Sequence, residues 1–247
     1  MTIHDSFYSN KFKELTAFYR QEDAMGQAAF LFDVVPLRPG DWVLDLACGF
    51  GRHSIELARR GCVVTGYDQS TDYIERAKSD AEGAGVDVAF QRLDMRELDE
   101  AAQYDAVLSM STSLAFYSDD VNEDIVRRIH RALKPEGTFV FDQGNVFPFV
   151  SAIMSGDLTR TEKLPDGWIH RRTFAFNAED CVISSRSVIE DGQRSEETGW
   201  DLRYYTLPEV KALAGTTGFG FDTAYGDYDG SSYCADSTRM IVLMRRL

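Results

Sequence analysis

The sequence predicts an α/β protein with a parallel, doubly wound sheet and an inserted antiparallel β-subdomain. Residues 42–142 alternate short apolar runs with helical patterns, which is typical of βαβ units. Residues 146–200 carry strand patterns and the hairpin dipeptide Asp191-Gly192 instead. The βα pattern then resumes, so we expect one main sheet interrupted by one insertion.

The elements of the main sheet follow from local composition. Seven stretches have the β-branched or aromatic content of strands: 42–46, 62–67, 86–90, 104–109, 138–142, 219–225 and 239–244. Between the fourth and fifth, apolar residues from Val121 to Leu133 return to one helical face and stop before Pro135. A later helix is predicted over 207–217. These helices should pack on the faces of the sheet.

The insertion is predicted from strands at 168–176 and 181–189 and a third run ending near Tyr205. Alternation gives the first of these strands an aromatic face with His170 and a basic face with Arg171. One face either covers the active site, or packs within the insertion or on a second subunit of a homodimer. The domain prediction is a main domain over 1–145 and 201–247, with an N-terminal helical lid over 1–40 and a substrate or oligomerisation subdomain over 146–200.

Composition limits the class of ligand and the location. The chain has 247 residues, a formal net charge of −14 and a sequence pI near 4.7, which disfavours a nucleic-acid partner. Its four cysteines lack CxxC spacing, and no zinc or phosphate-loop motif occurs, so no metal is expected. No apolar stretch is long enough to cross a membrane. We expect a soluble cytoplasmic protein that acts on small molecules.

The stretch VLDLACGFGRHSIELARRG, residues 43–61, joins a strand to a helix through a glycine turn. Gly49 and Gly51 let backbone N–H groups approach a ligand closely. A dinucleotide-binding loop would need a third glycine where this chain has Ser54. The two glycines alone are equally compatible with a tight connection that binds nothing.

Three acidic residues at successive strand ends favour a ligand. Asp45 lies in an apolar strand, where its charge needs a cation such as an ammonium group. Asp68 is placed to accept from both ribose hydroxyls, and Asp94 with Met95 suits an adenine ring. Each acid could alternatively cap a helix. Together they describe an amine, a ribose and an adenine without pyrophosphate, which is S-adenosylmethionine.

These motifs, with LKPEGTFVFD at 133–142, resemble those of class I S-adenosylmethionine-dependent methyltransferases, in particular a bacterial small-molecule subgroup with loops similar to ACGFGRHSIELARRG. The resemblance implies a Rossmann-like sheet of seven strands with the last antiparallel. It also implies methyl transfer to a small molecule, with S-adenosylhomocysteine as product. The implied cofactor contacts are Asp45, Ala47, Gly49, Gly51, Asp68, Gln69, Asp94, Met95, Ser109 and Met110.

The acceptor side is less specified by the sequence. Residues 111–117 follow the fourth strand and either line the substrate pocket or cap the next helix. Arg52 either binds the cofactor carboxylate or is a solvated cation. The candidate substrate contacts are Tyr8, Tyr19, Ser113, Tyr117, Arg171 and Tyr204. A general base is needed only if the acceptor loses a proton during attack, and His170 and Tyr205 are its candidates.

Two other function classes use the same fold. A nicotinamide-dependent oxidoreductase would place its cofactor at the same glycine turn, but it favours a third glycine at position 54. A non-catalytic sensor would bind S-adenosylmethionine without consuming it. Turnover of labelled cofactor separates the sensor from the enzyme.

Overall fold

We describe the fold from a computed structural model, which describes residues 24–156, 159–164 and 166–247. The strands are β1 (Trp42–Leu46), β2 (Val63–Asp68), β3 (Val88–Arg92), β4 (Tyr104–Ser109), β5 (Leu133–Gly144), β6 (Thr159–Lys163), β7 (Ile169–Asn177), β8 (Val182–Glu190), β9 (Ser195–Arg203), β10 (Phe219–Tyr225) and β11 (Arg239–Arg246). The helices are α1 (Ala24–Val34), α2 (Arg52–Arg59), α3 (Thr71–Ala84), α4 (Asp119–Ala132), α5 (Val146–Met154) and α6 (Leu207–Thr216).

The main sheet has seven strands in the order β10-β11-β5-β4-β1-β2-β3. Strands β1 to β5 pair in parallel, and β11 runs antiparallel to both β5 and β10. The predicted doubly wound sheet with an antiparallel last strand is therefore confirmed. Strand β1 lies inside the sheet between β4 and β2, so the residues after β1 stand between the ends of these two neighbours.

Helices cover both faces of this sheet, because successive strand residues point to opposite sides. Leu44 and Phe139 pack on one face with Ile129 of α4. Val43 packs on the other face with Leu31 of α1, in a separate cluster that also contains residues of α2. No helix among the described residues is long and apolar enough to cross a membrane.

The insertion forms a separate four-stranded antiparallel sheet in the order β6-β7-β8-β9. We predicted three of these strands. The fourth, β6, is an exposed edge strand of sequence TRTEK with no apolar alternation to reveal it. The predicted hairpin between β8 and β9 is present, and the Asp191 amide donates to the Arg194 carbonyl at 3.1 Å, so the turn centres on Gly192 and Gln193.

A further difference concerns the start of one strand. Strand β5 begins at Leu133, five residues before the predicted start, and includes Glu136 at a φ of 64°. This left-handed residue lies where the register with β4 shifts, which explains why the stretch does not resemble a regular strand. Tyr8 and Tyr19 of the predicted lid lie outside the described residues.

Candidate functional site

A cavity of about 280 Å³ opens at the carboxyl ends of the parallel strands, where doubly wound folds bind ligands. It has two parts. The glycine-loop half is lined by residues that follow β1, β2 and β3: Asp45, Ala47, Cys48, Gly49, Phe50, Arg52, His53, Asp68, Gln69, Tyr73, Leu93 and Met95. The insertion half is lined by Met110, Ser111, Thr112, Ser113, Phe116, Tyr117, Trp200, Leu202 and Tyr204.

The glycine loop has three residues in the left-handed region of backbone conformation. Ala47, Gly49 and Gly51 have φ values of 62°, 56° and 71°. At Gly51 a Cβ atom would lie 2.3 Å from the Phe90 ring, so this glycine allows close packing of the loop on β3. Gly51 does not line the cavity, whereas Ala47 and Gly49 do. Gly51 thus has a packing role in the structure, and its contact with the cofactor stays a prediction.

Asp45 is almost fully buried at the base of the glycine-loop half. Ser54 Oγ donates a 2.6 Å hydrogen bond to its Oδ2, so the residue that departs from the dinucleotide pattern supports this carboxylate. Burial raises the pKa of Asp45 to about 6, and the nearby Arg52 opposes that rise only partly. A ligand cation would stabilise the ionised form, as the sequence predicted.

Asp68 is held at the tip of β2 by two backbone groups. Its Oδ2 accepts from the Gly49 amide at 2.9 Å, and its Oδ1 accepts from the Ser70 amide at 2.9 Å. These bonds orient the carboxylate beside the glycine loop, and both Asp68 and Gln69 line the cavity. Asp45 and Asp68 therefore enter one cavity from neighbouring strands.

Asp94 does not share that cavity. Its carboxylate is bound by Arg96, through Nε at 3.0 Å to Oδ1 and Nη2 at 2.6 Å to Oδ2, and the Arg96 side chain lowers the pKa of Asp94. Its neighbours Leu93 and Met95 line the cavity instead. The apolar surface for a ring is present at Met95, whereas the Asp94 carboxylate is bound by an arginine two residues away. A cofactor contact through Asp94 stays a prediction.

Arg52 and His53 begin α2 and meet a residue that the sequence analysis missed. Arg52 Nη1 donates to Gln27 Oε1 at 2.6 Å, and His53 Nε2 lies 2.8 Å from the same oxygen. Gln27 belongs to α1, so these contacts tie α1 to the glycine loop. Burial lowers the pKa of Arg52, but its guanidinium stays charged in the cavity wall.

After β4 the structure separates two predicted contacts. Met110 lines the cavity, whereas Ser109 is fully buried outside its wall. Of the predicted substrate contacts, Ser113, Tyr117 and Tyr204 line the insertion half. Arg171 does not, because it is half-exposed on β7 and forms an ion pair with Glu190 at 2.7 Å.

Trp200 and Leu202 of β9 also line the insertion half, and the sequence analysis missed both. Alternation along the third inserted strand could have indicated a shared face, but not that this face meets the cavity.

Neither candidate base lies in the cavity. His170 is buried in the inserted sheet opposite Ile189, where burial lowers its pKa to about 4. The Tyr205 hydroxyl donates to Asp119 Oδ1 at 2.7 Å and accepts from Asn122 Nδ2 at 2.9 Å. Burial raises the pKa of Tyr205. Both side chains are thus enclosed outside the cavity wall, and a role as general base stays a prediction for either.

The fold and site define a nucleoside-binding α/β protein of the Rossmann-like class, with a glycine loop and two carboxylates at the switch point of the sheet. Residues 43–137 match the family described as "Methyltransferase domain". The chain belongs to the class I S-adenosylmethionine-dependent methyltransferase family, and it is an enzyme that uses S-adenosyl-L-methionine. This membership replaces the oxidoreductase and sensor alternatives.

Relatives support this assignment over most of the chain. The chain is 30% identical over 205 residues to the putative methyltransferase YqeM of Bacillus subtilis (strain 168), covering 80% of this chain and 81% of that one. It is 37% identical over 217 residues to the 27-O-demethylrifamycin SV methyltransferase of Amycolatopsis mediterranei (strain S699), covering 82% and 78%. The structure of an S-adenosylmethionine-dependent methyltransferase from Clostridium acetobutylicum ATCC 824 has the same fold, with a TM-score of 0.79, 17% identity and coverage of 96% and 98%.

Proposed function

We propose that this methyltransferase acts on a small-molecule acceptor bound in the insertion half of the cavity. The observation that carries the proposal is the wall of that half: Phe116, Tyr117, Trp200 and Tyr204 enclose it with aromatic rings. Such concave, largely apolar sites are typical of small ligands. The acidic chain, with a net charge of −14, argues against a nucleic-acid acceptor.

The glycine-loop half fits the cofactor. Asp45 offers a buried anionic partner for the ammonium group, and Arg52 is a cation in the same wall that suits the carboxylate. Asp68 is oriented for the ribose, and Met95 offers an apolar surface for the adenine. Ala47, Gly49 and Gln69 complete the proposed cofactor contacts, and Met110 lies toward the transferred methyl group.

When bound, S-adenosylmethionine supplies an electrophilic methyl group on a sulfonium. The residues of this chain then act by binding and orientation, because attack on such a methyl group needs an aligned acceptor in a site that excludes water. Trp200, Tyr117 and Tyr204 would hold the acceptor. Among the described residues, the insertion half contains no carboxylate or imidazole, so we propose that this half positions the acceptor without a general base from its wall.

The inserted sheet contributes Trp200 and Leu202 of β9 to the proposed acceptor wall, and residues after β4 together with Tyr204 complete that wall. The proposed domain boundaries are an inserted subdomain over 146–200 and a cofactor-binding domain over 24–145 and 201–247. The name of the rifamycin relative gives a small molecule as its acceptor, which supports the same class here. A cytoplasmic location is part of the proposal, supported by the four cysteines being free thiols. A homodimer through the inserted sheet is the proposed assembly.

The decisive experiment follows a labelled methyl group. The protein is incubated with methyl-labelled S-adenosylmethionine and three fractions of a bacterial lysate: metabolites, proteins and nucleic acids. We expect label only in the metabolite fraction, and S-adenosylhomocysteine as the second product. Trp200→Ala should reduce transfer while calorimetry shows that it still binds S-adenosylhomocysteine. Label transferred to proteins or nucleic acids would reject the small-molecule acceptor.

A further inference from the structure

The loop that joins the two halves of the cavity has a strained backbone. Ser111 and Thr112 have φ values of 58° and 68°, in the left-handed region that non-glycine residues rarely occupy. Each such residue is strained and persists only where the surroundings hold it. Both residues line the cavity. Something in the fold must therefore stabilise this conformation.

The amides of both strained residues donate to Asp142 of β5. Its Oδ2 accepts from the Ser111 amide at 2.7 Å, and its backbone carbonyl accepts from the Thr112 amide at 2.8 Å. Asp142 is fully buried, so these bonds are shielded from water. A longer hydrogen bond also joins the loop to β5: the Gly144 amide donates to Thr112 Oγ1 at 3.3 Å.

Asp142 is in turn held by the last strand, β11, and by the segment between β10 and β11. Arg239 of β11 donates from Nε to Oδ1 and from Nη2 to Oδ2, both at 2.7 Å. The Tyr228 hydroxyl donates to Oδ2 at 3.0 Å. Bidentate pairing with arginine fixes the plane of a carboxylate as well as its position. The carboxylate therefore has little freedom to release the loop.

The strained loop touches groups that we assign to both ligands. Ser111 Oγ accepts from Arg52 Nη2 at 3.2 Å, and Arg52 is the cation of the glycine-loop half. Thr112 Oγ1 accepts from the Gly144 amide at 3.3 Å, and a Cβ atom at Gly144 would lie 3.4 Å from the Tyr204 ring, so Thr112 and Tyr204 both pack against Gly144. Both residues line the insertion half. A shift of Ser111 and Thr112 would therefore disturb the contact with Arg52 and the packing beside Tyr204.

We propose that Asp142 is a positioning residue of the methyl-transfer site, which acts by holding the Ser111–Thr112 loop so that Arg52 and Tyr204 face their ligands. Arg239 and Tyr228 fix Asp142 and so connect the C-terminal hairpin to the site. The inference rests on the proposed function for the identity of the ligands, but the holding of the loop is a property of the protein alone.

The test combines two substitutions, one that weakens the support of the loop and one that removes its strain. Asp142→Asn weakens the support: it keeps the size of the side chain but places an amide against Arg239. Because glycine adopts the left-handed conformation without penalty, Ser111→Gly, at the residue whose amide the Asp142 carboxylate holds, should make the loop less dependent on that carboxylate. The four proteins of this double-mutant cycle are compared by calorimetry with S-adenosylhomocysteine and by hydrogen exchange of the 111–112 amides without ligand.

In Asp142→Asn we expect the 111–112 amides to exchange faster with solvent. We also expect S-adenosylhomocysteine to bind about tenfold more weakly, because a strained residue of the loop loses the carboxylate that holds it. In the Ser111→Gly background the same substitution should weaken binding less than about threefold. Unchanged exchange in Asp142→Asn, or an equal loss of affinity in both backgrounds, would overturn the inference.

Tyr228→Phe provides a milder variant that removes a single hydrogen bond to Asp142. It should also accelerate exchange at 111–112, whereas the matched control Tyr225→Phe, whose ring packs on Phe30, should not. Equal exchange in these two variants would count against the inference. If the wild-type protein binds no S-adenosylhomocysteine, the proposed function fails, and the exchange data still decide the role of Asp142.

Discussion

The backbone amide of Gly49 donates a 2.9 Å hydrogen bond to Oδ2 of Asp68, and this bond joins the glycine loop to the tip of β2. Asp68 thus holds the loop and presents its carboxylate to the same cavity. The two parts of the proposed cofactor site, the loop and the ribose acceptor, are therefore coupled through one side chain.

Replacing Asp68 with alanine should weaken S-adenosylhomocysteine binding at least about tenfold, because hydrogen bonds to a charged group contribute about 1.5–3 kcal/mol each. Calorimetry measures the change. Asp87→Ala is the matched control, since Asp87 is exposed just before β3, and its affinity should equal that of the wild type. Unchanged tight binding by Asp68→Ala would reject the ribose assignment.

The pH dependence of binding should report Asp45. Its folded pKa of about 6 lies above its ordinary value of 3.8, so the neutral form stabilises the ligand-free protein at low pH and this contribution is lost as pH rises through about 6. A ligand ammonium selects the ionised form. Affinity for S-adenosylhomocysteine should therefore be constant above pH 7. Below about pH 6 it should decrease as the pH falls, by at most about tenfold per pH unit.

Asp45→Asn isolates that effect, because asparagine does not titrate. Its affinity at pH 7.5 should be lower than that of the wild type, and the slope below pH 6 should disappear. Calorimetry across pH 5–8 compares the two proteins. An identical slope in Asp45→Asn would assign the titration to another group.

Gly51→Ala should destabilise the protein by about 2–4 kcal/mol, since it combines a left-handed backbone with a steric clash. The new Cβ would lie 2.3 Å from Phe90 Cζ. Gly85 has nearly the same φ, 68°, but open space around its Cβ position, so Gly85→Ala should cost only about 1 kcal/mol. Urea unfolding followed by circular dichroism measures both, and equal losses would contradict the clash with Phe90.

Trp200 should report ligand binding by its fluorescence. The chain has three tryptophans, and among them Trp200 lines the cavity, while Trp42 is 42% exposed and Trp168 packs with Leu164 and Ile189. Titration with an accepted substrate should change the emission of the wild type and of Trp42→Phe. Trp200→Phe should lose this response, and retention of the full response would show that the acceptor binds elsewhere.

Much of the fold could be predicted from the sequence because its signals are local. Short apolar runs rich in β-branched and aromatic residues marked every strand of the main sheet. Helical periodicity marked α4, since the buried face of a helix must repeat with the period of its backbone. Asp45 and Asp68 could be brought to one site from the sequence, because parallel strands end at the same edge of a sheet. The edge strand β6 escaped prediction because an exposed strand needs no apolar face.

The remaining features depend on contacts between side chains that are distant in the sequence, or on a neighbouring group that binds a predicted site residue in place of the ligand. Asp94 pairs with Arg96 rather than with the cavity, and His170 is enclosed by its own sheet. Trp200 reaches the cavity because β9 packs against residues 113–116, which follow β4. Strand-end chemistry was thus determined by the sequence, whereas the acceptor wall and the pairing of Asp142 with Arg239 were decided by tertiary packing, which brings together residues that no local pattern relates.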